Sequence, residues 1–204
     1  MALNPSMRSQ WEADEAYQPT LHRQLAELET VRTNVARMSA EQQAHWCGEL
    51  QHIVQSHSNP VLRAACVNTL ARFSIPAANE PLTLAMKDAD SAVRIAACRA
   101  WGQRGGKEGT QLLAATLGSD SDMDVRLAAA RELRRFSDPI AYEALGLALQ
   151  ENDPALQYRA LESLREASGK DYGTDLQAWQ QFAQGQDPGP EYTPSLAERL
   201  RALF

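Results

Sequence analysis

The sequence predicts an all-α chain, an α-solenoid of stacked helix pairs with helical caps at both ends. Three observations predict it. Four segments superpose on one another, anchored on Arg63, Arg94, Arg126 and Gln157, so that the period is 31, 32 and 31 residues. Within each segment apolar residues recur at the spacing of one helical face. Nowhere does the alternation of β-branched and aromatic residues that marks a strand appear.

Composition sets the outer bounds. The chain has 204 residues, 44% of them hydrophobic, with 26 acidic against 20 basic side chains and a formal charge of -6. A chain of that length buries enough surface to fold without metal or disulfides. Three cysteines, Cys47, Cys66 and Cys98, cannot all pair within one chain. The start lacks a signal-like apolar region, and no apolar run nears the roughly 18 residues of a membrane helix, so a cytoplasmic protein without a membrane partner is expected. The acidic balance disfavours nucleic acid as the main partner.

Residues 1–38 read as a mobile N-terminus followed by an N-capping helix, in which Leu21, Leu25, Leu28, Val31 and Val35 form one face between Pro19 and Ser39. Residues 39–167 read as four helix pairs. The first helix of each pair is a shorter apolar pattern: Leu50 with Ile53 and Val54, Leu82 with Met86, Leu113 with Leu117, and Leu145 with Leu149. The second helix of each opens on Asn59, Asp90, Asp122 or Asp153, side chains that cap free N–H groups, and Pro60 and Pro154 occupy first helical positions. Behind these caps run Leu62, Cys66, Leu70 and Phe73; Val93, Ala97 and Trp101; Val125, Ala129, Leu133 and Phe136; and Leu156, Ala160 and Leu164. Pro76, Gly105-Gly106 and Asp138-Pro139 supply the turns between pairs. A two-helix unit cannot bury its apolar face alone, so neighbours must stack. Residues 168–184 read as a C-terminal cap, in which Gly169 and Gly173 stop one helix and Leu176, Trp179 and Phe182 give the next its apolar face. Residues 185–194 read as a linker. Residues 195–204 read as a short amphipathic helix, with Leu196, Leu200, Leu203 and Phe204 on one side, open to docking in cis, on a second copy, or on another protein.

The pattern Asp-x-Asp-x-x-Val-Arg-x-x-Ala-Ala occurs as Asp88, Asp90, Val93, Arg94, Ala96, Ala97 and again as Asp120, Asp122, Val125, Arg126, Ala128, Ala129. It closely resembles the HEAT-like repeats first named in phycocyanobilin lyase subunits, over roughly residues 40–167. The outer copies depart from it, the first carrying His57 and Asn59 for the two acids and the fourth Gln157 for the arginine. The resemblance implies that Asp88, Arg94, Asp120 and Arg126 form a structural ladder within and between repeats. The stretch Leu164–Trp179 is similar to an ending that follows such repeats in bacterial proteins, notably planctomycete ones.

Catalytic signatures are missing from the sequence. No His-Glu pair, Cys-x-x-Cys, His-Glu-x-x-His or Gly-x-Ser-x-Gly occurs, so no catalytic residue, no metal ligand and no cofactor is assigned. A zinc site would have to be assembled from scattered residues such as His45, Cys47 and His52. Gly102–Thr110 fails as a phosphate loop on spacing, and a turn between repeats explains it better. Surface chemistry remains. Counted from each anchor, positions plus two, plus five and plus nine form a stripe on the second helices, and every charged residue there ahead of Glu162 is arginine: Arg72, Arg99, Arg131, Arg135 and Arg159, with Gln103 among them. Second helices line the concave side of such stacks, so these six residues are the candidate partner-binding set. Arginine's planar fork pairs carboxylates in two-point fashion, which suits an acidic protein partner; local pairing with Glu132 or Glu162 is the competing account. The function expected is a non-catalytic protein-protein scaffold or adaptor. A bilin lyase-like or chaperone-like role and binding to a nucleic-acid phosphate backbone are the alternatives.

Overall fold

The computed structural model describes residues 19–193, and every described element is helical. The readings of a mobile N-terminus and of a helix over 195–204 lie outside the described residues. The chain divides into two compact units, Met1–Ala100 and Trp101–Phe204.

In the first unit, helix α1 (Leu21–Asn34) starts on Thr20, whose hydroxyl accepts the Arg23 N–H, and ends in a turn of 3₁₀ helix over Val35–Arg37. It buries Leu28, Val31 and Val35. Helix α2 (Ala40–Ser56) opens with a capping box in which Ser39 and Gln42 bond each other's backbone N–H. Helix α3 (Pro60–Leu70) is capped by Asn59 with Pro60 at its first position. A 3₁₀ turn at Pro76–Ala78 leads into α4 (Asn79–Ala85), and α5 (Ser91–Arg104) begins in this unit and ends in the second. Here α1 packs on α3, α2 on α3 and α4, and α3 on α4.

The second unit contains α6 (Gly106–Ser119), α7 (Met123–Leu133), α8 (Pro139–Ala148), α9 (Pro154–Ser168) and α10 (Leu176–Ala183). The repeat logic is visible in its packing. First helices lie against first helices, α6 on α8 and α8 on α10, while the second helices α7 and α9 lie against each other. Asp122, Asp138, Asp153 and Asp175 each accept backbone N–H groups at the start of a helix. Gly105 and Gly106 take φ of 71° and 79° at the turn before α6, a region that side-chain-bearing residues avoid. Gly169, at φ 69°, ends α9 in the left-handed conformation and bonds the Arg165 carbonyl.

The predicted apolar faces are the core: Leu62, Cys66, Leu70, Val93, Ala97, Trp101, Val125, Ala129, Leu133, Leu156, Ala160 and Leu164 are all buried. The shorter apolar pattern of a first helix does not mark its full extent, since α2 runs 17 residues against 11 for α3, and α6 14 against 11 for α7. In α2 the buried face extends back through Cys47 to Gln43, a polar residue that apolar counting passes over. Gln43 is buried because its amide is bonded on both sides, donating to the Met38 carbonyl and accepting from the Ser74 N–H.

Candidate functional site

Each second helix carries its anchor residue facing the loop that precedes it. Arg63 donates from Nε and Nη2 to both carboxylate oxygens of Asp88, at 2.8 and 2.7 Å, and from Nη1 to the carbonyls of His57 and Ser58. Arg94 donates to the carbonyls of Asp88 and Ala89. Arg126 donates to the Leu117 carbonyl and, through both terminal nitrogens, to Glu151. Gln157 has no charge, yet its amide donates to the carbonyls of Leu149 and Glu151. The anchor therefore ties down its own loop or the last turn of the helix before it, and an arginine can also reach the acid of the next repeat.

The acids do a second job. Asp88 and Asp120 each accept the N–H two residues on, from Asp90 and Asp122, which closes the loop before the helix cap. In the first repeat His57 substitutes for the acid: its Nδ1 accepts the Asn59 N–H at 3.0 Å. Burial works to raise the Asp88 pKa, but the Arg63 hydrogen bond, the Asp90 N–H and the charges of Arg63 and Arg94 together hold it below the usual carboxylate range. Arg63 is pushed up by its bond to Asp88. Arg63 and Glu151 escaped the sequence reading of the ladder. A signal was available, because Glu151 lies six residues before Gln157, the offset that separates Asp88 from Arg94 and Asp120 from Arg126.

The partner-binding candidates stand apart from this ladder. In the first unit Arg72 and Arg99 are exposed; in the second Gln103, Arg131 and Arg135 are exposed and Arg159 is half-buried. Among the described residues Arg72, Arg99, Arg131 and Arg159 make no ion pair, whereas Arg135 donates from Nε to Glu132 at 2.9 Å. Glu132 is buried, and it lies against Gly102, where a Cβ would meet its Oε2 at 2.3 Å. Arg135 is thus the counter-charge of a buried carboxylate. Of the stripe's plus-two positions, Ala96 is buried and Ala65 and Ala128 are half-buried, so the exposed edge of the second helices is carried by plus five and plus nine. Arg72 also borders an open groove of about 630 Å³ with Glu29, Arg32, Thr33, Gln43 and Ser74.

The scattered His45, Cys47 and His52 do not converge: the two histidines are exposed and Cys47 is buried, and among the described residues no three His, Cys, Asp or Glu side chains are placed to hold a metal ion. Burial pushes the Cys66 thiol up to about 12, which leaves it protonated and unreactive at neutral pH. Trp179 is fully buried, its indole N–H bonded to the Gly173 carbonyl and its ring edge-on to Tyr172 at 5.0 Å, so it is a packing residue and not a recognition surface. No described helix is long and apolar enough to cross a membrane.

Residues 49–134, from within α2 to the end of α7, match the family model for HEAT repeats, and the helix pairs there are similar to those repeats. No curated protein matches the chain.

Proposed function

We propose that the protein is a non-catalytic interaction scaffold whose second-helix arginines bind an acidic protein partner in the cytoplasm. The observation that carries the reading is a division of labour among arginines. Arg63 and Arg126 are largely buried and spend their donors on carboxylates and carbonyls of the fold. Arg72, Arg99 and Arg131 are exposed and pair with nothing among the described residues, which leaves their full donor forks for a partner. The HEAT-repeat match supports a protein as that partner. The spacing of Asp88, Asp90, Arg94 and of Asp120, Asp122, Arg126 supports the phycocyanobilin-lyase-like kind of repeat, and the stretch Leu164–Trp179 supports the bacterial type of C-terminal segment.

The test is affinity capture by the wild-type chain and by an Arg72→Glu, Arg99→Glu, Arg131→Glu variant. Arg135 stays unaltered, since reversing it would leave the buried Glu132 facing a like charge. A protein retained by the first chain and lost by the folded variant is the expected result. Equal capture would remove the arginines from the site. Retention of duplex DNA that collapses as salt rises would replace the protein partner with a phosphate backbone.

A further inference from the structure

A second surface lies on the first helices of the second unit. Between α6 and α8 runs a groove of about 230 Å³, walled by Ala114, Leu117, Ile140, Ala144 and Leu147, with Glu143 and Glu151 at its margin. Its lining is mostly apolar, and Leu147 stands 58% exposed there, a large aliphatic side chain left in water. Glu143 is exposed and unpaired among the described residues.

We propose that this groove receives residues 195–204 of a second copy of the chain. The segment Ser195–Phe204 carries Leu196, Leu200, Leu203 and Phe204 at helical spacing, an apolar face with nothing of its own length to bury it, flanked by Arg199 and Arg201. Apolar face meets apolar groove, and the two arginines meet Glu143, the carboxylate of the margin that Arg126 does not hold. The donor is assigned to a second molecule because the chain leaves the described residues beside the loop after α9, and that loop contributes nothing to the groove. Tyr192 donates its N–H to the Asp171 carbonyl and Glu191 is paired with Lys170, so the chain is pinned beside the loop after α9 with only Thr193 and Pro194 before the segment. The groove is walled by α6 and α8 without any residue of α9, α10 or that loop, and α10 already covers another side of α8 through Ala183 against Gly146. Such a head-to-tail contact is heterologous, closing only if two copies exchange segments or a ring forms.

Sedimentation of the full chain across the micromolar range tests the idea, together with two variants that leave the described fold intact. One is truncated after Thr193; the other carries Leu147→Arg, which puts a like charge against Arg199 and Arg201 at an exposed position. Full-length chain is expected to associate and each variant to sediment as a monomer. Mixing the two variants should then restore a one-to-one complex, because the truncated chain still offers the groove and the Leu147→Arg chain still offers the segment. A monomeric full-length chain, association that survives either change, or failure of the mixture to associate would each overturn the proposal. The second-helix arginines are untouched in these variants, so loss of acidic-partner capture is a separate failure.

Discussion

Ser163 sits in the middle of α9 with its hydroxyl buried and without a hydrogen-bond partner. A hydroxyl sealed from water with no acceptor costs about 1 to 3 kcal/mol, while the methyl of alanine at the same place needs no partner and suits a helix better. Ser163→Ala is therefore expected to stabilise the chain by about 1 kcal/mol and raise Tm by about 2 to 4 °C. A lower Tm in a thermal melt would show that the hydroxyl has a partner. Asp88 is the opposite case, a carboxylate whose two oxygens both accept hydrogen bonds. Its folded pKa is depressed, so the stability it confers is complete above the ordinary carboxylate pKa and is lost as pH falls through the lower, folded value. Asp88→Asn takes away the counter-charge of the largely buried Arg63 and turns an NH2 donor toward one of its donors, and is expected to cost about 3 kcal/mol at neutral pH. In urea titrations at descending pH the gap between wild type and variant should narrow once the pH passes below the usual carboxylate range. A gap that stays constant into acid would mean that Arg63 does not hold the carboxylate ionised.

Helices show which parts of the fold a sequence displays. Caps and apolar faces were legible because each is set by local chemistry: Asn59, Asp90, Asp122 and Asp153 all accept the helix-start N–H groups that their positions in the repeat require. The exposure of Arg99 and Arg131 followed from the same helical geometry. The burial of Gln43 in α2 did not, because it depends on that amide meeting Ser74, 31 residues away. Nor did the capture of Arg135, which rests on Glu132 being buried against a glycine of a different helix. Close approach between helices is the other feature that pattern does not reveal. Gly146 in α8 sits where a Cβ would lie 2.4 Å from the Cβ of Ala183 in α10. Gly146→Ala should force α10 outward at a cost of about 1 to 3 kcal/mol despite alanine's better helix propensity. Because Trp179 lies fully buried on that short helix, its emission is expected to shift to the red, and adding Ala183→Gly should reverse the shift. Unchanged emission in the single variant would show that α8 and α10 accommodate the methyl without separating.

At the scale of the whole molecule, net charge competes with local recognition as the reason an acidic partner would bind or leave. The chain carries -6, so an acidic protein meets a long-range field that opposes it, and exposed arginines must overcome that field at close range. Reversing Arg72, Arg99 and Arg131 takes the net charge to -12 and strengthens the field everywhere, which alone would slow association. A control of equal charge separates the two effects. Arg37, Lys87 and Lys107 are exposed, lie off the second-helix stripe and make no ion pair among the described residues, so reversing all three also gives -12. If recognition is local, the control keeps its partner with an association rate reduced at low salt and recovered as salt screens the field, while the second-helix variant fails to bind at any salt concentration. If both variants lose the partner at low salt and both regain it at high salt, binding follows net charge and the arginines of the second helices have no special claim on it. Association kinetics of the three chains with the captured partner, measured across a salt series, decide between these outcomes.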